Sequence, residues 1–316
     1  MTAAWRAAQD GIALVIVLWM LALLAVIAGS LVFSTRTELA IAANLASAAR
    51  AEAAADAGVH KAIHELVSAP PGDPLAWRGD GKVHAWQFGD ARLAIRVVGE
   101  SARIDVNTAN EALLRGLLVS LGLTAEEAEA LTDALVDWRD VDDLRRLHGA
   151  EKEDYAAAGR PYGPANANFV AVEELRQVLG FTDDLYRALE PLVTVYSGQA
   201  GIDSAIASRQ VLLAVPGVTP EQVDAFLDQR RAALEQGLPS PMFPPAQAFA
   251  AGGFNTVVSV QVEAVLGDNT RFFREAVIRL TGNPMEPVAI LAWRAPMAPP
   301  ATESMTATPA IALRTR

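Results

Sequence analysis

The 316-residue sequence contains no cysteine. That absence excludes a disulfide framework, a thiolate-bound zinc or iron–sulfur centre, and thiol catalysis. Histidine is scarce, with His60, His64, His84 and His148 the only four. His60 and His64 stand four apart on a helical stretch and could face one way as metal ligands do. No HExxH accompanies them, and an exposed pair of this kind is ordinary solvated surface. There is no Gly-rich phosphate loop and no GxSxG, and no spacing of Ser and Asp picks out a triad. The sequence therefore offers no catalytic constellation. Basic residues are also short: 26 against 37 acidic ones, a formal net charge of −11. That balance opposes a nucleic-acid binder that works by neutralising phosphates. The length allows a sizeable core and suggests about two domains.

The hydrophobic fraction, 52%, is slightly above the soluble average, and one segment carries the excess. Residues 12–33 read IALVIVLWMLALLAVIAGSLVF without a charge. As a helix this run spans about 30 Å, the thickness of the bilayer hydrocarbon. A single-pass anchor is the plain reading. A cleaved signal peptide with its small-residue exit at Ala28–Ser30 fits less well, because the run exceeds the usual length of about 7–15 residues. A third reading comes from the leader MTAAWRAAQDG. A short polar leader that ends in glycine and abuts an uncharged helix resembles the leaders of the type IV pilin class. That resemblance implies that a prepilin peptidase cuts between Gly11 and Ile12, on the cytoplasmic side, with N-methylation at the new end. The distribution of Arg6, Arg36 and Arg50 leaves the orientation open by charge.

From Ser34 to Val67 the sequence is Ala-rich, and apolar residues recur every three or four positions, so one helix is expected over about Ile12–Val67. Its second half would pack on a folded domain. PPGDPLAWRGDG (70–81) ends it. Two strands are expected at Val83–Phe88 and Ala91–Glu100, joined by a tight turn at Gly89-Asp90. From Asp105 to about Gln236 the pattern is helical, with VTVYS (193–197) as a short strand within it. Strands return in NTVVSVQVEAVLG, RFFREAVIRLTG and PVAILAWR, the first two joined by a GDNT turn. The Pro/Ala/Thr tail from Ala295 is expected to be disordered.

The domain reading is therefore a leader at 1–11, an apolar helix at 12–33, and a first α/β part at 34–104. A helical insert follows at 105–236, then a second β part at 237–294 and a tail at 295–316. Strands that flank a helical insert belong to one sheet. The fold class is α+β: a pilin-like long N-terminal helix packed on an antiparallel sheet, with a large all-α insert between strands.

RIDVNTANEALLRGLL, LVDWRDVDDLRRLHGAEKEDY, PYGPANANFVAVEELRQVLGF and GIDSAIASRQVLLAVPGVT, together with the leader, resemble the type II secretion minor pseudopilins of the general secretion pathway protein K type. The likeness runs from about Gly11 to Arg294. Most pilins carry a glutamate at the fifth position of the mature helix, where this chain has Ile16; K-type subunits also lack it, which in the family fits a subunit with none above it. A buried carboxylate needs a partner, so Ile16 leaves a helix free of intramembrane charge. The resemblance implies a subunit at the pseudopilus tip, in complex with the I- and J-type minor pseudopilins. It also implies an inner-membrane helix with the body in the periplasm, support of protein export across the outer membrane, no catalysis and no nucleic-acid partner.

Residues 126–190 hold 16 acidic and 7 basic residues, so most of the negative charge lies on the insert. Its densest stretch supplies Asp137, Asp140, Asp142, Asp143, Glu151 and Asp154, oxygen donors of the kind that calcium takes in numbers of six to eight. No EF-hand spacing is present. K-type subunits bind calcium in the helical domain, and the resemblance points to this cluster; the plain alternative is a solvated helix end paired with Arg139, Arg145 and Arg146. A rival function also comes from resemblance. IDVNTANEALLRGL and LLAVPGVTPEQVDAFLDQR are similar to helix–hairpin–helix DNA-binding motifs, which grip phosphates with backbone amides. PGVTP lacks the second glycine of that motif, and the insert is acidic.

Overall fold

A computed structural model describes residues 4–70, 73, 76–252 and 256–296, with side chains described from Ala13 onward. Helix α1 runs unbroken from Ala4 to Ser68. It starts before the expected Ile12, because the leader is alanine-rich and Gly11 costs a helix only about 1 kcal/mol. From Ala13 to Ala46 nearly every side chain is exposed, and the most apolar window of this helix has a mean hydropathy of 2.8. Most of the tail, 297–316, lies outside the described residues.

Strands β1 (Asp80–Phe88), β2 (Ala91–Gly99), β5 (Val257–Val265), β6 (Arg271–Leu280) and β7 (Val288–Arg294) form one antiparallel sheet in the order β1-β2-β5-β6-β7. Gly89, at φ 60°, makes the β1–β2 turn. The sheet is continuous across the insert, since β2 pairs directly with β5. The second half of α1 lies on one face of it. Ala51, Ala54, Ala55, Val59 and Ala62 pack on Leu93, Ile95, Val97, Val258, Val260 and Val262. Small residues set this close approach: a Cβ on Gly58 would stand 2.7 Å from the Val262 side chain. Arg274 then locks the helix to the sheet, with Nε donating to Asp56 at 2.6 Å and a terminal nitrogen to Glu52 at 2.7 Å.

The insert has its own hydrophobic core. It contains α2 (Glu111–Ser120), α3 (Ala125–Arg139), α4 (Lys152–Ala157), α5 (Asp183–Leu189), α6 (Arg209–Leu213) and α7 (Pro220–Glu235). It is not wholly helical. The pairs β3 (Ile104–Asp105) and β4 (Val193–Thr194) run parallel to each other. Three hairpins share one chemistry. Gly122, Gly180 and Gly217 turn at φ 99°, 89° and 77°, and two residues on Thr124, Thr182 and Thr219 cap the next helix with their side chains. The helix–hairpin–helix likeness is thus a likeness of scaffold: each threonine satisfies its own helix start from within.

The insert leaves the sheet at its end distal to the apolar helix segment. Ser47, low on α1, bonds Asp268 in the β5–β6 turn at 2.7 Å, whereas the insert departs after Gly99 and returns before Val257, at the opposite end of those strands. A buried carboxylate, Glu100, fastens that junction. It is 1% exposed and accepts from the hydroxyls of Thr194 in the insert and Ser259 in the sheet. Arg103 donates to it at 3.4 Å and to Glu275 of β6, also at 3.4 Å.

Candidate functional site: a cluster of unpartnered carboxylates

The motif residues quoted above build this site from local chemistry. In the DVNTAN stretch, Asp105 accepts from the Gly198 amide at 2.7 Å, and Asn107 exchanges two hydrogen bonds with the Phe169 backbone at 2.8 and 2.9 Å. Three distant segments are thereby held together. In DWRD, the alternation of a helix end sends each side chain a different way. Trp138 enters an aromatic cluster, stacked on Phe169 at 6.0 Å and flanked by Tyr155 and Tyr162. Arg139 donates to the Val106 carbonyl. Asp137 points into the protein and is fully buried.

Asp137 is held by the chain that follows it. The Arg146 amide donates to its Oδ2 at 3.2 Å, while its Oδ1 has no partner. Gly149 makes room: a Cβ there would lie 1.9 Å from Asp137 Oδ2. Glu151, 7% exposed, has no partner on either carboxylate oxygen, and Asp140 has none on Oδ1. The electrostatics follow. Burial, then the charges of Asp137, Asp140, Asp143 and Asp142, push the Glu151 carboxyl up to about 7. Burial raises Asp137 and Asp140 as well, each pushed further by its acidic neighbour, Asp140 for the first and Asp142 for the second.

The six expected donors do not all behave alike. Asp137 and Asp140 each keep one carboxylate oxygen without a partner, and Glu151 keeps both. Asp142 caps its own turn through the Leu144 amide at 2.9 Å, and Asp143 accepts from Asn166 Nδ2 at 2.9 Å. Asp154 is spoken for: Arg145 takes Oδ1 at 3.0 Å and the Glu151 amide takes Oδ2 at 2.9 Å, which holds its carboxyl below the usual range. The arginines of the solvated alternative divide. Arg146 binds Glu111 and Asp133 and Arg145 binds Asp154, so neither neutralises Asp137, Asp140 or Glu151 by an ion pair. Asn166 joins the cluster although nothing in its sequence marked it. Its Oδ1 is buried without a partner and its φ is 46°. Among the described residues, no three histidine or acidic side chains stand ready to hold a metal ion. What the cluster offers is unneutralised oxygen, a donor chemistry that fits a hard cation such as calcium.

The other expected positions are ordinary. His60 lies 6.1 Å from the Trp293 ring, and His64 Nδ1 lies 3.3 Å from the Ser68 hydroxyl, so the two do not converge on a shared ligand. The backbone at Gly11 and Ile12 is helical within α1, and the Ile12 side chain is outside the described set.

Comparison with known proteins decides the family. The family model for "Type II secretion system (T2SS), protein K" matches residues 91–198. The protein K of Pectobacterium carotovorum is 31% identical over 229 residues, which cover 66% of this chain and 70% of the relative. The chain belongs to the type II secretion system protein K family. The protein K of Pseudomonas aeruginosa is 26% identical over 245 residues, covering 71% and 73% of the two chains. In fold, the chain is similar to one in the crystal structure of the GspK-GspI-GspJ complex from the enterotoxigenic Escherichia coli type 2 secretion system. That match has a TM-score of 0.56 at 16% identity and covers 84% of this chain and 99% of the other. This K-family chain is therefore a minor pseudopilin, a structural part of a secretion machine, and its apolar N-terminal helix fits a transmembrane anchor.

Proposed function

We propose that this subunit caps the tip of the type II pseudopilus, joins I- and J-type minor pseudopilins there, and helps start assembly and so support export. One observation carries the reading: a bulky insert is fastened by Glu100 at the end of the sheet opposite the apolar helix. A subunit whose helix lies in a fibre core has neighbours along its sides, and a mass beyond the end of its sheet has room only at the top. The complex with I- and J-type proteins is a property of the similar crystal structure; shared fold and family bring it to this chain.

Before assembly, the helix holds the chain in the inner membrane with the body in the periplasm. Prepilin peptidase cuts after Gly11, and Ile12 becomes the methylated N-terminus; Gly11→Ala retains the longer form. The role is structural, without catalysis. In the insert, Asp137, Asp140 and Glu151 are the carboxylates that a calcium ion would draw together, with Asp142, Asp143 and Asn166 as neighbouring donors. Calcium supplies positive charge where the fold has buried negative charge without a partner. Gold labelling of an affinity tag placed in the insert tests the tip assignment. Label at one end of isolated pseudopili is expected, and label distributed along their sides would refute it.

A further inference from the structure

Strand β7 ends the sheet and has a neighbour on one edge only. It pairs with β6, and among the described residues no strand pairs with its other edge. An open row of backbone amides and carbonyls invites another strand, so natural edges are guarded by charge, proline or a bulge. The opposite edge, β1, follows that rule with Asp80, Lys82 and His84. β7 is barely guarded. Val288–Trp293 carries no charge, Arg294 alone closes the strand, and its one irregularity is the register shift opposite Val277 and Ile278.

The helix side of β7 is bare as well. Ile290 pairs with Ile278 and Trp293 with Ala276, both in the core beneath α1, so Ile290 and Trp293 point to the same side as these partners. The Trp293 ring accordingly lies 5.4 Å from the Arg274 guanidinium and 6.1 Å from the His60 ring of α1. Yet Ile290 is 53% and Trp293 37% exposed, whereas the residues buried against α1 come from β2, β5 and β6. The sheet is one strand wider than its helix covers, and the uncovered side chains border the open edge.

The chain's own continuation is placed to fill this step. β7 ends at Arg294, and residues 297–316 follow outside the described set. After β7, Ala310-Ile311-Ala312-Leu313-Arg314 is the stretch with large aliphatic side chains at alternate positions. The intervening residues 295–309 span up to about 50 Å when extended, against about 23 Å for a strand the length of β7, so a return along it is within reach. A chain that turns back on its own strand pairs antiparallel. Ile311 and Leu313 then fall on one face, with Ala310, Ala312 and Arg314 on the other. Such a strand carries the guards that β7 lacks, Pro309 at its start and Arg314 and Arg316 at its end. Its tether also gives it an effective concentration that a free strand does not have.

We propose that residues 310–314 add to β7 as a sixth, antiparallel strand of the sheet, with Ile311 and Leu313 covering Trp293 and Ile290. The stretch 295–309 is the connection, and the docked strand keeps β7 from pairing with other chains. Neither the tip assignment nor a bound cation enters this pairing.

Because the chain lacks cysteine, Leu313→Cys, or Met305→Cys as a control in the connection, places a single thiol on the 316-residue chain in detergent. Maleimide labelling at Leu313→Cys is expected to be about tenfold slower than at Met305→Cys, and adding Ile290→Asp should bring the two rates together. Independently, ending the chain after Pro309 should speed amide exchange over residues 288–294 about tenfold and leave the β1 edge, 80–88, unchanged. Equal labelling rates would overturn the proposal, as would β7 exchange that truncation leaves unaltered. Slow labelling that Ile290→Asp does not relieve would mean shielding by detergent, and protection lost on dilution would mean that a second copy pairs there; either overturns it too.

Discussion

Glu151 gives the sharpest quantitative test of the carboxylate cluster. Its carboxyl is pushed from an ordinary 4.5 to about 7 by burial and by four acidic neighbours, with no hydrogen bond to offset either. In this pH interval the folded chain holds the proton and the unfolded chain releases it. Stability is therefore greatest below the unfolded value and falls as pH rises through the folded value. A rise of this size corresponds to about 3 kcal/mol. In a body of this length that lowers the melting temperature by about 6–10 °C. Asp137 and Asp140, also raised, act in the same direction. His84 opposes them: burial holds its ring below the usual value, so its contribution is lost as pH falls.

Comparison with Glu151→Gln separates these terms. Melting of the detergent-solubilised chain, followed by tryptophan fluorescence at about pH 5 and about pH 7.5 in chelator, should show a fall with pH for the native chain. Most of that fall should be absent in the variant. Millimolar calcium at the higher pH should restore the native chain and leave the variant little changed. Parallel pH curves for the two chains, or an equal calcium response, would refute the reasoning.

Three further substitutions test the framework around this site. Gly149→Ala drives a methyl into Asp137 and should cost about 1–3 kcal/mol in denaturant unfolding while weakening any calcium response. Glu100→Ala removes the acceptor for Thr194 and Ser259 and leaves Arg103 with Glu275 alone; a loss of about 3–5 kcal/mol is expected. Limited proteolysis should then cut near Glu100 and Thr256, and an unchanged digest would contradict the clasp. Arg274→Ala should speed amide exchange over residues 51–62 of α1 relative to the core of β5, whereas uniform protection would show that packing alone holds the helix.

Much of this architecture is legible in the chain because local pattern and tertiary role agree. The alternation of Leu93, Ile95 and Val97, the Gly89-Asp90 turn and the small-residue face of α1 each point to their observed place. The features that escape sequence reading are those created by distant contact. The strand β3 is two residues long, too short for a period, and exists because β4, the start of the short strand expected at 193–197, supplies its hydrogen bonds. Glu100 reads as the polar end of a strand, yet it turns inward to meet hydroxyls from two other segments. The density of acids locates the cluster, while the partition within it is structural. Asp154 is consumed by Arg145 and a helix start, Gly149 has value only because Asp137 lies against it, and Asn166 arrives through Asp143.

The central claim is that this chain is the tip member of a heteromeric minor-pseudopilin complex. The direct measurement is the mass of the assembly formed when the purified chain is mixed with the I- and J-type minor pseudopilins of the same secretion system, by size-exclusion chromatography with light scattering. A single species holding one copy of each chain is predicted, with the insert accessible to added protease. Three separately eluting proteins, or a complex that forms as well without this chain and excludes it when present, would contradict the account.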